Sequence, residues 1–201
     1  MKKSIGFSLF TILLSCILMG TVMSQENPQK LTFSLGGGID FGGDKIAEVY
    51  FTNGADQSVN AGQGGSILAA LDYAFSKSFR IRTIAGYKYV TTAANNANIR
   101  LTRFPIQVSG IVNLDKNWWL TAGLATHQGI RFKGDGFLDD LSLKTKGGAT
   151  VGLGYNLVYL SYTGMKYTDN LQNEYNASSI GLGFLLPLKK RTRTVLHPLQ
   201  N

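Results

Sequence analysis

The sequence contains little cysteine, proline and charge. Of its 201 residues one is cysteine, four are proline and 16% are charged, where roughly 25% is usual in soluble domains. Cys16 is the single cysteine, so a mature chain that begins after residue 24 has neither disulfides nor thiolate metal sites. Beyond residue 24 no apolar run reaches the ~20 residues that a membrane helix needs. We therefore predict a mature chain without a transmembrane helix, which leaves open a barrel of alternating strands.

Positive charge exceeds negative charge, but the excess lies at the two ends. The formal net charge is +8. Lys2 and Lys3 stand near the start, and four more cations follow residue 188: Lys189, Lys190, Arg191 and Arg193. Subtracting these six charges from +8 leaves +2 for the body of the chain. Nucleic acid is therefore not an expected partner, and residues 189–201 are predicted to form a basic C-terminal tail.

Residues 1–24 have the pattern of a secretory signal peptide. Lys2 and Lys3 supply the basic start, an apolar stretch runs from Ile5 to Val22, and Ser24 precedes a cleavage site. Two alternatives stay open, an uncleaved anchor helix and lipoprotein processing at Cys16. In each case the sequence predicts an exported protein.

Alternation of apolar with polar or glycine residues is the main pattern of the chain. It is clearest from Leu143 to Tyr167, where the chain turns near Gly154–Asn156, and a period of two is typical of strands with unlike faces. The pattern predicts eight strands: 30–41, 65–74, 79–90, 99–112, 118–127, 143–155, 157–167 and 177–188. A bulge is expected at Arg103–Pro105, because proline cannot donate to a ladder.

The connections between these strands alternate in length. Long polar connections, such as 42–64, follow the odd-numbered strands, and tight turns follow the even-numbered ones. Membrane barrels combine short periplasmic turns with long extracellular loops, and their tilted strands need ~9–11 residues. The prediction is an all-β fold, an eight-stranded antiparallel up-and-down transmembrane β-barrel over residues 25–188.

The two faces of the predicted strands differ in charge and in aromatic content. One face carries a predicted lumen charge network: Asp40, Asp72, Arg80, Arg82, Lys88, Lys144 and Lys146. Aromatic residues near the strand ends are predicted to lie at the membrane interface: Phe41, Tyr73, Phe79, Tyr87, Tyr89, Trp118, Tyr155 and Tyr167. These features favour lipid outside the barrel. The alternative is a soluble lipocalin-like ligand-binding barrel with its apolar face inside.

The signal peptide, the eight alternating strands, the short even-numbered turns and the terminal strand Gly181-Leu182-Gly183-Phe184 resemble the small outer-membrane β-barrel family. That family includes the transmembrane domain of outer membrane protein A and the compact protein X barrels. The resemblance covers about residues 30–188 and implies the fold more than any particular activity. One departure is the end of the last strand: the family usually ends on an aromatic residue that the insertion machinery reads, whereas here Pro187-Leu188 and thirteen further residues follow.

Candidate catalytic and metal-binding residues are few. His127 is the single histidine of the barrel body, and a histidine triad also needs a serine and an acid close by. The acidic stretch 134–140 lacks the spacing of a helix-flanked calcium loop. We predict no catalytic residue, no metal site and no cofactor, and a lumen filled by salt bridges rather than an open pore.

These observations predict a monomeric integral protein of a Gram-negative outer membrane, non-enzymatic, with a structural or surface-interaction role. Its expected partners are membrane lipid and lipopolysaccharide, the barrel-insertion machinery, and an extracellular partner bound through loop 42–64, which carries Tyr50 and Phe51. The alternatives are a narrow channel for small solutes, the soluble barrel, and a lipid-modifying enzyme that uses His127 at the rim.

Overall fold

The structure is a computed structural model that describes residues 31–50, 56–92 and 98–188. The predicted signal peptide (1–24), the basic tail (189–201) and Phe51 lie outside the described residues. Within the described ranges all regular secondary structure is β. A helix long and apolar enough to cross a membrane is absent from those ranges.

Eight strands of the described chain close a barrel. The barrel strands are β1 (Leu31–Phe41), β4 (Gly64–Ala74), β5 (Phe79–Thr91), β6 (Arg100–Asn113), β7 (Trp118–Lys133), β9 (Gly148–Tyr155), β10 (Val158–Gly164) and β13 (Ser179–Pro187). Each pairs antiparallel with its neighbours in chain order, and β13 returns to pair with β1. The predicted up-and-down barrel is confirmed.

Local sequence explains the tight turns at one end of the barrel. The Asp115 carboxylate accepts the backbone N–H groups of Asn117 and Trp118 at 2.6 and 2.7 Å, and these bonds lower the pKa of Asp115. The β9–β10 turn has two residues, and its first, Asn156, has a φ of 52°. Asparagine tolerates this left-handed conformation, which two-residue hairpins require.

The connections at the opposite end contain strands that the alternation pattern did not predict. In the described ranges these are β2 (Lys45–Tyr50), β3 (Asp56–Asn60), β8 (Leu141–Leu143), β11 (Lys166–Thr168) and β12 (Glu174–Asn176). β2 pairs with β3 and β11 with β12 as hairpins, and β8 extends the sheet at the end of β7. The predicted loops 42–64, 128–141 and 168–176 are therefore partly ordered sheet, and β7 continues to Lys133.

The apolar face of the barrel points outward. Exposed side chains of β1, β4, β7, β9, β10 and β13 include Leu35, Ile67, Leu124, Val151, Leu160 and Leu182. The alternate positions carry the buried polar side chains Ser34, Asp72, Arg82, Lys88, Ser109 and Thr150. The soluble lipocalin-like alternative requires the reverse arrangement and is wrong.

The predicted irregularity at Arg103–Pro105 is present, but its extra residue belongs to the neighbouring strand. The β6–β7 register shifts between Thr102 and Phe104. Thr102 pairs with Arg131 and Phe104 with Gln128, so one more residue lies on β7 than on β6. Gly129, with a φ of 57°, adopts the left-handed conformation typical of such bulges.

Candidate functional site in the lumen and its cap

The lower part of the lumen, at the tight-turn end, is an open vestibule of about 410 Å³. Arg82 lies on its wall and donates from Nε and Nη2 to the two Asp72 oxygens at 2.6 and 2.7 Å. Arg80 Nε is 3.5 Å from the same carboxylate. The Trp119 ring faces both arginines, with its centroid 5.0 Å from the Arg82 guanidinium carbon and 5.9 Å from that of Arg80. The vestibule therefore brings two arginines, one acid and one aromatic ring together, and Lys77 also lines it.

A central apolar layer fills the barrel above the vestibule. It consists of the inward-facing side chains of four residues, with Tyr159 packed against them: Leu68, Ala70, Ile84 and Leu185. Small residues on the facing strands make room for these side chains; a Cβ at Gly183, for example, would overlap the Tyr159 ring. The charged residues below and above this layer therefore form two separate clusters.

The second cluster lies in the upper chamber, a cavity of about 70 Å³ lined in part by Asp40, Lys88 and His127. Lys88 Nζ is 2.9 Å from Asp40 Oδ2 and donates to the Gly62 carbonyl at 2.7 Å. Arg103, the ladder partner of Lys88 on β6, is fully buried and donates from Nη2 to the Gln63 carbonyl. Two lumen cations thus bind the backbone of the first long connection where it returns to the barrel.

A folded cap covers this end of the barrel. We use this name for β2, β3, β8, β11 and β12 with their turns. The cap shares a core with the upper ends of β6 and β7, and buried members of this core are Ala47, Val59, Ala61, Ile99, Leu101, Ile130, Phe132, Leu143, Met165, Tyr167 and Ala177. Asp44 joins the first connection to the last, because its N–H donates to the Asn176 carbonyl and its carboxylate accepts the Asn176 N–H, both at 2.7 Å.

Each cap hairpin contains an ion pair. In the β2–β3 hairpin the pair lies within β2, and in the β11–β12 hairpin it joins the two strands. Lys45 donates to Glu48, which also accepts the Tyr50 hydroxyl at 2.7 Å. The Lys45 hydrogen bond is the main cause that lowers the pKa of Glu48. Lys166 and Glu174 pair across the β11–β12 ladder at 2.7 Å, which raises the pKa of Lys166. These pairs are exposed and contribute little to stability.

Five residues of the predicted lumen network face the lumen: Asp40, Asp72, Arg80, Arg82 and Lys88. Lys144 and Lys146 do not belong to it. Both are exposed and precede β9, and Lys144 pairs with Thr168 of the cap. Gly147, with a φ of 85°, interrupts the alternation of inward and outward side chains. The pattern of β9 therefore does not predict the direction of the two lysines that precede it.

The aromatic side chains form two groups near the ends of the barrel. Near the tight turns Trp118 stacks edge-on with Tyr155 at 4.9 Å, and Tyr73 and Phe79 each contact Phe75. Toward the cap lie Phe41, Tyr87 and the half-buried Tyr89, whose rings include a Tyr87–Tyr89 stack. Tyr167 is an exception among the predicted interface aromatics. It is fully buried in the cap core, because it follows the inward-facing Tyr159 and Thr163 by an even number of residues and therefore points to the same side.

The structure places His127 beside Tyr167 of the cap core. His127 is buried, and its Nδ1 forms a hydrogen bond with the Tyr167 hydroxyl. In the acidic stretch, Asp140 pairs with Lys133, and Asp135 accepts the Asn98 N–H at 2.8 Å. Across 31–50, 56–92 and 98–188, groups of three or more His, Cys, Asp or Glu residues that could hold a metal ion are absent.

A closed antiparallel barrel with apolar side chains outside and charged ones inside is a transmembrane β-barrel. No protein-family model matches the chain, and no curated protein matches its sequence. The similarities are to solved structures and are weak in sequence.

Ail, the attachment invasion locus protein of Yersinia pestis, matches with 8% identity and a TM-score of 0.45 in its complex with the heparin analogue sucrose octasulfate, over 78% of this chain and 97% of Ail. The outer membrane channel DcaP of Acinetobacter baumannii matches with 13% identity and a TM-score of 0.30, over 67% of this chain and 42% of DcaP. A de novo designed transmembrane β-barrel matches with 12% identity and a TM-score of 0.27, over 82% of this chain and all of the design. The assignment of the fold rests on the strand pairing and burial of this chain itself.

Proposed function

We propose that this chain is an integral protein of a bacterial outer membrane, with its tight turns in the periplasm and its cap outside the cell. The observation that carries this proposal is the exposed apolar outer surface of the barrel, which lies between the two aromatic groups. Monomeric soluble proteins rarely expose so extended an apolar surface, whereas a lipid-facing barrel requires one. Closure of the sheet also leaves no backbone edge unpaired in hydrocarbon.

Heat-modifiability of the mature protein tests this location. A closed barrel resists detergent until it is boiled, so we expect the folded protein to migrate differently on a gel before and after boiling. We also expect it to stay with the outer-membrane fraction after a carbonate wash. A protein recovered in the soluble periplasmic fraction, with one gel mobility, would contradict the proposal.

The lumen favours a structural role over transport. Eight strands enclose an interior just wide enough for side chains to fill, and here the central apolar layer separates the vestibule from the upper chamber. Lys88 and Arg103 further bind the Gly62 and Gln63 carbonyls across the upper end. A narrow channel remains the second candidate, because charged groups line the lumen on both sides of that layer.

The cap is the proposed contact surface. Its tips present large apolar side chains to solvent: Tyr50 is 76% exposed, Leu171 82% and Phe137 62%. These residues lie beyond the barrel strands, so lipid contact does not account for them. The shared core beneath the cap orders both hairpins, and an ordered surface loses less conformational entropy when it binds a partner. The first connection, 42–64, remains the main candidate for an extracellular partner.

Substitution at the cap tips tests the surface role. Cells that display the double variant Tyr50→Ser/Leu171→Ser should attach to one another and to coated surfaces less than cells that display the same amount of wild-type barrel. Ser142→Ala, also exposed at this end, is the matched control and should leave attachment unchanged. Equal attachment by the wild type, the double variant and Ser142→Ala would contradict the proposal that the cap is a contact surface.

We take the protein to be non-enzymatic and monomeric. A rim hydrolase needs a histidine joined to a serine and an acid, whereas His127 forms its side-chain hydrogen bond with Tyr167 under the cap. The lipid-facing surface implies contact with membrane lipid and lipopolysaccharide. Insertion of a barrel of this class implies the barrel-insertion machinery as a further partner.

A further inference from the structure

Two like charges face each other inside the barrel. Lys88 and Arg103 are direct partners across the β5–β6 ladder. Both are buried, Arg103 completely. Like charges placed directly opposite across a ladder repel each other, and burial strengthens that repulsion because water screens it less. Such a pair needs negative charge close by.

The protein supplies one carboxylate for these two cations. Asp40 Oδ2 lies 2.9 Å from Lys88 Nζ. Within the described ranges no carboxylate lies within 4.0 Å of an Arg103 nitrogen, and Arg103 Nε and Nη1 are buried without a hydrogen-bond partner. The Arg103 hydrogen bond from Nη2 goes to the neutral Gln63 carbonyl. Lys88, Arg103 and Asp40 together therefore carry one uncompensated positive charge.

The upper chamber offers room and donors for a small ion. Its volume is about 70 Å³, several times the roughly 10–15 Å³ that one water needs by the same measure. Besides Lys88 and His127, its walls carry the hydroxyl groups of Ser66, Ser161, Thr163 and Ser179. Ser66, Ser161 and Thr163 donate to Gly38, Gly181 and Thr150 in this structure, and a hydroxyl group can rotate to donate toward an anion instead. A large organic anion does not fit this volume.

We propose that the upper chamber binds one small monovalent inorganic anion, a halide such as chloride, beside Lys88, where its charge offsets the buried Arg103 guanidinium across the β5–β6 ladder. One negative charge cancels the local excess of one positive charge. A divalent oxyanion would reverse that excess and would lie closer to the Asp40 carboxylate, which repels it.

Bromide replacement tests the site directly. The mature barrel is refolded and crystallised in sodium bromide, and anomalous scattering locates the ions. We expect a bromide peak in the chamber, in contact with Lys88. Peaks at exposed cations alone would show an adventitious ion only and would overturn the proposal, as would a chamber without any peak.

Chloride-dependent stability provides a second test in solution. At constant ionic strength, with gluconate as the replacement anion, a tenfold rise in chloride above its dissociation constant should shift the wild-type unfolding equilibrium about tenfold toward the folded state. Arg103→Met should abolish this dependence. The control Arg131→Met removes an exposed arginine of β7 and should retain it.

The same chloride dependence in Arg103→Met and in wild type would overturn the proposal. If Arg103→Met does not fold, Lys88→Met takes its place, and the bromide experiment on the wild-type protein decides independently of any variant. Neither experiment measures membrane insertion or contacts of the cap. A negative result for the anion site therefore does not contradict the proposed function.

Discussion

Asp72 and Arg82 are direct partners across the β4–β5 ladder, and two parallel hydrogen bonds of 2.6 and 2.7 Å join their side chains. Paired in this way, the carboxylate and the guanidinium fix each other's orientation. Trp119 of β7 covers the guanidinium. The pair therefore fixes the lower lumen in one arrangement, with Arg80 held close to the same carboxylate.

Removal of the Asp72 charge should destabilise the barrel strongly. Asp72→Asn leaves the buried Arg82 and the neighbouring Arg80 without a carboxylate, and breaking a buried pair in this way costs about 3–5 kcal/mol. Equilibrium urea unfolding of the barrel in lipid vesicles measures the loss. Glu174→Gln breaks an exposed pair with Lys166 and serves as the control, for which little change is expected. Equal losses in the two variants would show that the lumen pair contributes no more than an exposed one.

A methyl group added at Gly154, the ladder partner of Trp119, should disturb the contact between Trp119 and the two arginines of the vestibule. A Cβ there would overlap the Trp119 ring at its neighbouring carbons Cζ2, Cε2 and Cδ2. Gly154→Ala should therefore displace Trp119 from the two arginines and destabilise the barrel by about 1–3 kcal/mol, the usual range for overpacking. Trp119 fluorescence and urea unfolding measure the two effects.

Gly65→Ala is the matched control for Gly154→Ala, because a Cβ at Gly65 meets nothing within 4 Å. It should leave both fluorescence and stability near their wild-type values. Combining Gly154→Ala with Trp119→Leu should recover part of the stability, since the smaller side chain makes room. If Gly154→Ala behaved like Gly65→Ala, the ring would not be packed against β9.

The barrel could be predicted from sequence because each spanning strand has two chemically different faces. Ile67 and Leu68, for example, are adjacent residues of which one is exposed to lipid and the other is buried in the lumen. Period-two alternation records this difference wherever a strand separates lipid from lumen. The tight turns carry equally local signals, such as Asp115 and Asn156.

The cap could not be predicted because its strands do not separate two such environments. β2 and β3 are short and bear charges, so 42–64 has the composition of a loop. Leu143 and Tyr167 are buried by contacts that join distant connections, and no local pattern records them. Extending the β9 alternation back across Gly147 predicts Lys144 and Lys146 in the lumen, but the positive φ of Gly147 changes the side to which the preceding residues point. Tyr167 follows the inward-facing Tyr159 by an even number of residues, and this spacing predicts that Tyr167 also points inward.

Acid should loosen the β11–β12 hairpin through Asp169. Its carboxylate accepts the Asn173 side-chain amide and the Leu171 and Asn173 N–H groups, each at 2.8 Å. These bonds, the Asn173 side chain first, lower the pKa of Asp169. A folded-state pKa below the unfolded value gives stability that is present above the ordinary aspartate pKa of about 3.9 and is lost as the pH falls through the lowered pKa.

Amide NMR of the barrel in lipid nanodiscs measures this transition. The Leu171 and Asn173 amide signals should move at a pH below 3.9. Asp169→Asn should show the shifted positions at neutral pH, because an asparagine nitrogen faces the Asn173 amide donor. A transition above the ordinary range, or the same transition in Asp169→Asn, would contradict the assignment to this carboxylate.

Conductance should depend on the central apolar layer. Side chains that leave no space for water exclude ions from a narrow lumen, so the wild-type barrel should show no steady current in a planar bilayer. Leu68→Ala/Leu185→Ala removes two side chains of the layer and should produce measurable openings. The matched control Ile67→Ala/Leu186→Ala changes the neighbouring lipid-facing residues and should remain silent. Steady current through the wild-type barrel would favour the channel alternative, and silence of the layer variant would locate the barrier in the cap instead, where Lys88 and Arg103 bind the returning chain.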